Sequence, residues 1–267
     1  YTLPYYDFSK NLNSIFLNNY LDGFINFSSN GNNTLKDTNN LKTTIVNNLS
    51  YQSIDFISNL GFKNNFDLYF KNLNSLGKND NIYTSRPQID GMSIFKFDTI
   101  YPLLKSNNIS KETLTPKLSI RFNPANNMND YSGSSSPVDT NNVFDLNRLG
   151  ISDDFEAGRS ITLGLDYKFD KIEIDQSKIT KDKYLELKLA TVLRDQIETD
   201  IPISSTINRK NSDIFGSINN NLFNNINLEY NFSIDNNLRT INSNSINTEI
   251  SINNFVTSFN FIEQRNE

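Results

Sequence analysis

The sequence predicts an all-β chain of about a dozen antiparallel strands. Three observations carry this. Apolar and polar residues alternate along many short segments, turn-forming residues separate those segments, and no segment has the apolar spacing of a long amphipathic helix. A length of 267 residues suits one large all-β unit, so residues 1–267 are read as a single domain.

The clearest segment is ITLGLDYKF. Ile161, Leu163, Leu165, Tyr167 and Phe169 fall on one face, and Thr162, Gly164, Asp166 and Lys168 on the other. INLEYNFSI repeats the pattern, with Ile226, Leu228, Tyr230, Phe232 and Ile234 opposite Asn227, Glu229, Asn231 and Ser233. In LTPKLSIRF, Leu114, Pro116, Leu118, Ile120 and Phe122 oppose Thr115, Lys117, Ser119 and Arg121. Pro116 there predicts a bulge or a locally unpaired amide, because proline cannot donate to a ladder. In YLELKLATVLR, Leu185, Leu187, Leu189 and Leu193 oppose Glu186, Lys188 and Arg194. Weaker alternation marks 41–51, 66–70, 94–101, 246–252 and 255–261.

Turn signals lie at Asp235-Asn236-Asn237, at Asn253-Asn254, and along Asn219 to Asn221 with Asn224-Asn225. Long gaps between strands fall at 74–92, 124–159 and 195–211. Short ones fall near 57–61, 105–112 and 221–225, with 170–183 intermediate. Transmembrane barrels have this asymmetry, with short turns on one side and longer loops on the other. The three long gaps are therefore expected at one end of the sheet.

Composition excludes several functions. The formal charge is −5 and no basic stripe is present, which argues against a nucleic-acid partner. Cys and His are absent, so thiolate and imidazole catalysis, Cys/His zinc sites and disulfides have no residues to use. No phosphate-cradling Gly loop occurs, and no cofactor is expected. Mean hydropathy is −0.51, and no apolar run approaches the roughly 18 residues of a membrane helix. A barrel is not excluded, since its strands turn every second side chain inward. The Asn richness accompanies frequent Ile, Lys, Phe and Tyr, which share A/T-rich codons. The apolar alternation through it marks an ordered chain.

Two local clusters raise chemistry. Asp153, Asp154 and Glu156 lack the D-x-[DN]-x-[DN]-G order of a calcium loop and are read as loop surface, with Glu156 or Asp153 holding Arg148 or Arg159. Ser132, Ser134, Ser135 and Ser136 have no His base and no S-x-x-K context, and read as a loop tip. No enzymatic activity is expected.

Pattern alone leaves two architectures open. A soluble β-sandwich would bury the apolar faces against a second sheet. A membrane barrel would turn them to lipid, with Tyr101, Tyr167 and Phe169 as interfacial aromatics. Lys117, Arg121, Asp166, Lys168, Glu186, Lys188, Arg194 and Glu229 would then line a wet lumen, their mixed signs suiting a plug or water.

A resemblance favours the barrel. NVFDLNRLGISDDFEAGRSITLGLDY resembles a signature of the outer-membrane LPS-assembly family LptD, also called organic solvent tolerance protein, of the form N-L-F-S-x-D-R-F-S-G-x-D-R-I-E-G-G. Asn142, Phe144, Arg148, Asp153, Glu156 and Gly158 match, and Gly164-Leu165 follows. LTPKLSIRFNP is similar to the family's L-x-P strand and later proline through Leu114, Pro116 and Pro124. SDIFG is similar to its S-D-I-V-G strand opening through Ser212, Asp213, Ile214 and Gly216. Tyr101-Pro102 and LPYYDF resemble two further sites in the same order. Departures are Asp154 in place of Arg, Asn147 in place of Asp, and Gly150 one position early.

The resemblance implies that residues 1–267 are part of a single outer-membrane β-barrel domain of a Gram-negative bacterium. That piece is expected as an open, curved portion of a larger barrel. It implies lipopolysaccharide as cargo, an LptE-like lipoprotein plug, and periplasmic bridge proteins reached through an N-terminal domain. A porin-like channel is the first alternative and a soluble β-sandwich binding module the second. The ends, YTLPYYDF and EQRNE, lack an initiator Met, a signal-peptide pattern and a terminal aromatic residue, and are read as internal to a longer protein.

Overall fold

The computed structural model describes residues 4–13, 22–36, 39–80, 83–124, 137–150, 156–175, 178–199, 201–223 and 225–265. Its strands are β1 (Tyr6–Asn13), β2 (Gly23–Lys36), β3 (Asn40–Ser53), β4 (Phe56–Ile57), β5 (Lys63–Lys78), β6 (Gln88–Ile100), β7 (Leu103–Ser106), β8 (Ser110–Asn123), β9 (Gly158–Asp175), β10 (Lys178–Arg194), β11 (Asn211–Phe223), β12 (Ile226–Ile234), β13 (Ile241–Ile252) and β14 (Phe255–Gln264). All belong to one antiparallel sheet that runs from β1 to β14 in chain order. The short β4 pairs beside β5 and the short β7 beside β8. The sheet is open, with β1 and β14 at its edges. A 3-10 turn at Ile203–Ser205 interrupts the β10–β11 connection.

Strand direction makes the β5–β6, β8–β9 and β10–β11 connections leave and re-enter the sheet at one end, as the gap pattern predicts. We call this the loop end. Other limits differ from expectation. The 170–183 gap closes, because β9 runs to Asp175 and β10 begins at Lys178. Asn219 to Asn221 lie inside β11 rather than in a turn: Asn219 pairs with Glu186 on one side and Glu229 on the other. Paired strand neighbours supply the hydrogen bonds that a turn would otherwise give these amides.

Pro116 causes no break between β8 and β9, whose register is continuous from Ser110 to Asn123. The interruption falls on the opposite side. β6 pairs with β8 up to Ile100–Lys117, Tyr101-Pro102 intervenes, and β7 resumes at Leu103–Leu114. Tyr101 N donates across the gap to the Pro116 carbonyl at 3.1 Å.

Register carries each face across the sheet, because directly paired residues share a side. Leu163, Leu165, Leu189 and Ile161 stand on the apolar face at 39–45% exposure, with no second sheet over them among the described residues. This corrects the soluble-sandwich alternative, which needs that second layer. An apolar face of this extent is what lipid, rather than water, accommodates.

The buried core lies on the other face. Ala190, Val192 and Phe215 project there, and Val138, Val143, Leu149, Ile201 and Ile207 from the two long connections pack on them. Burying such side chains stabilises by about 1.5–3 kcal/mol each. The long loops thus fold back over the sheet.

Candidate functional site

The segment 137–150 is a compact loop seated on the polar face of β8–β11. Asp139 starts it: Oδ1 accepts from the backbone N–H of Asn141 at 2.7 Å and of Asn142 at 3.1 Å. Asn142 returns the bond, Oδ1 accepting from Asp139 N at 2.9 Å and Nδ2 donating to the Pro137 carbonyl at 2.8 Å. Asp and Asn hold such turns because their short side chains reach the backbone two residues away. Thr140 Oγ1 then donates to Ser217 Oγ on β11 at 3.0 Å.

Phe144 lies over Gly164. A Cβ at Gly164 would stand 2.6 Å from the ring, so glycine is what lets the aromatic reach the strand. Lys117 Nζ sits 5.5 Å from the same ring centroid and pairs with Asp166 at 2.5 Å.

Arg148 closes the loop. Its guanidinium is buried and donates in every direction. Nε bonds Glu156 Oε2 at 2.7 Å, and the second terminal nitrogen makes an ion pair with Oε1. Thr162 Oγ1 and Ser160 Oγ accept at 3.0 Å each, and the Val143 carbonyl at 3.4 Å. Arg194 on β10 reaches Glu156 Oε1 at 3.0 Å and also bonds the Ala157 carbonyl. Arg121 on β8 stands 4.0 Å from Glu156 and donates to the Asp145 carbonyl at 3.2 Å. Asn123 Nδ2 donates to the Glu156 carbonyl at 3.1 Å.

One carboxylate is therefore ringed by three guanidiniums. Burial pushes the Glu156 pKa up, but the charges of Arg148, Arg121 and Arg194 outweigh that and hold it at about 2. Asp145, beside the cluster, moves the other way: burial raises its pKa against the pull of Lys96 and Arg121.

Glu156 is the carboxylate that holds Arg148, as expected, but it is buried rather than solvated. Arg159 instead turns outward, 4.0 Å from Asp195. Asp153, Asp154 and the serines at 132–136 lie outside the described residues. Gly158 opens β9 with φ +86°, a left-handed conformation that favours glycine.

A second node sits at the SDIFG segment. Ser212 Oγ accepts from Val192 N at 2.9 Å, beside the irregular register between Thr191 and Leu193. Asp213 is buried. Its Oδ2 accepts from Ser233 Oγ at 2.6 Å and Asn242 Nδ2 at 2.8 Å, tying β11 to β12 and β13. Its N–H donates to Thr206 Oγ1 at 3.3 Å, anchoring the 3-10 turn. Gly216, on the apolar face, lies under the Phe232 ring. Leu114 is on that face opposite Tyr167, and Pro124 follows β8.

The eight charged residues expected on one face share it: Lys117, Arg121, Asp166, Lys168, Glu186, Lys188, Arg194 and Glu229 are linked by direct or alternate pairing across β8–β12. Lys168 pairs with Asp170 at 3.4 Å and Lys188 with Glu186 at 3.2 Å, while Glu229 accepts from Asn231 at 3.0 Å. Sequence reasoning missed Ala190, Val192 and Phe215 as the loop's seat. The signal was Leu189-Ala190-Thr191-Val192-Leu193, where alternation lapses and apolar Ala190 and Val192 take positions on the polar face. No group of three or more carboxylates among the described residues is placed to hold a metal ion.

An open antiparallel sheet with an uncovered apolar face, a charged face and long loops at one end is the architecture of an incomplete transmembrane β-barrel. The chain matches, over residues 2–267, the family model described as LptD, LPS transport system D, and it belongs to that family. Its role is therefore in lipopolysaccharide transport and assembly. No curated protein matches it.

Proposed function

We propose that this chain is barrel wall of an outer-membrane protein that inserts lipopolysaccharide into the outer leaflet. The observation that carries the reading is the clamped loop. The residues of the family's N-F-R-E-G signature, Asn142, Phe144, Arg148, Glu156 and Gly158, are those that fold segment 137–150 and fix it to the charged face. On this reading the charged face is lumenal, the apolar face meets lipid, and the loop end lies outside the cell. The uncovered charges at Lys168, Glu186, Lys188 and Glu229 face an LptE-like lipoprotein plug. An N-terminal periplasmic domain receives cargo from the bridge proteins. The chain does no covalent chemistry, and the energy for transport comes from elsewhere in the pathway.

Depletion of the protein separates this from a porin-like channel. Loss of surface lipopolysaccharide, restored by the wild-type chain, supports the proposal. Unchanged surface lipopolysaccharide with altered solute uptake overturns it.

A further inference from the structure

The apolar face carries a groove of about 570 Å³ near the middle of β2–β6. Its walls are Phe27, Leu49 and Phe70, stepping across three strands in one row, with Pro124 opposite. Its floor is Gly91 and Ser93, where β6 runs on past the last residue of β8. A Cβ at Gly91 would meet nothing within 4 Å, so the hollow is real space and not a close approach of backbones.

The next row toward the loop end is polar, although it stands on the same face. Tyr6 Oη lies 3.0 Å from Ser29 Oγ, which donates to Asn47 Oδ1 at 2.7 Å. Asn47 Nδ2 donates to Asn72 Oδ1 at 3.1 Å, and Asn72 Nδ2 to the Asp90 carbonyl at 3.3 Å. A polar row on a lipid-facing wall is costly unless its groups are bonded, and these bond one another. Asn72 Oδ1 also accepts from Asn74 Nδ2 at 2.6 Å and is filled, while its Nδ2 keeps a second N–H and the Ser29 and Asn47 oxygens each keep a lone pair for a group from outside.

The geometry points to a glycolipid site: one acyl chain lies in the groove, and sugar hydroxyls meet the Ser29–Asn47–Asn72 row. The volume falls within the roughly 300–1,000 Å³ of ordinary ligand sites. The chemistry selects the headgroup. The row offers hydroxyls and amides, and the side chain of Lys71 belongs to the opposite face through its pairing with Asn48 and Met92. A phosphate would instead draw Arg or Lys.

The inference rests on the reading that the apolar face meets outer-membrane lipid. Its test is native mass spectrometry of the full-length protein with its partners, extracted from its own membrane. The wild type should retain one more glycolipid than a G91F/S93F variant, whose rings fill the groove, while L163F elsewhere on the face retains it. N72L, which keeps the hollow but removes the amide, should also lose it. Equal retention in wild type and the groove variants, or a phospholipid as the molecule lost, overturns the site. Surface lipopolysaccharide in the same cells reports on the transport reading separately, so the site can fail while transport stands.

Discussion

Arg148 and Glu156 meet side-on in a buried ion pair that joins a surface loop to the face of a sheet, with Arg194 and Arg121 drawn to the same carboxylate. The arrangement is asymmetric. Taking away one guanidinium leaves two for Glu156, whereas taking away the carboxylate leaves three cations facing one another.

Glu156→Gln should therefore be among the most damaging single changes in the loop. Removing one partner of a buried pair costs about 3–5 kcal/mol. Limited trypsin digestion of the folded protein checks it: cleavage after Arg148 should appear in the variant and be absent in the wild type. Resistance in both would mean that apolar contacts alone hold the loop.

Acid should act through the same group. The Glu156 pKa is lowered from 4.5 to about 2, so its contribution is fully present above about 4.5 and is lost as pH falls through about 2. Protection of Arg148 from an acid-stable protease should hold at pH 5 and fail toward pH 2. In Glu156→Gln the profile should be flat across that window.

Gly164→Leu should displace the loop by filling the space under Phe144. Overpacking of this kind costs about 1–3 kcal/mol. Phe144→Ala in the same chain should relieve part of that cost, and the double-mutant coupling is the measurement. Additive effects would show that the two residues do not press on each other.

Asp213→Ala removes the acceptor shared by Ser233 and Asn242. Each buried polar group left unsatisfied costs about 1–3 kcal/mol. The heat-dependent gel shift should move to lower temperature, and amide exchange should rise in β12 and β13 before β8 and β9.

The chain has no cysteine, which makes topology directly testable. Ser85→Cys and Gln196→Cys, at the loop end, should react with an impermeant maleimide on intact cells. Asn108→Cys and Asn254→Cys, at the opposite end, should react after permeabilisation. The reverse pattern would invert the proposed orientation.

Much of the sheet was legible because alternation is a direct record of two-sidedness. Ile161 to Phe169 and Ile226 to Ile234 needed no more than a period of two. Asn219 to Asn221 misled because asparagine favours turns in isolation, and its strand partners Glu186 and Glu229 are distant in sequence. The role of Arg148 was readable from a local motif. The arrival of Arg121 and Arg194 at Glu156 was not, because it depends on register between strands rather than on spacing along the chain. The loop's seat was half visible, in the lapse of alternation at Ala190 and Val192.

Register also gives the charged cluster a part in choosing the fold. Arg121 and Arg194 both pair with Ser160, one from each neighbouring strand, so a single row holds the two cations around β9. Slipping β8 by one residue would exchange Arg121 for Ile120 or Phe122, slipping β10 would exchange Arg194 for Leu193 or Asp195, and either slip would turn the guanidinium to the apolar face. In a sequence crowded with interchangeable asparagines and serines, many misaligned sheets would bury similar area. Glu156 makes one alignment electrically distinct from its neighbours, and the loop that carries it can settle when β8, β9 and β10 have already found one another.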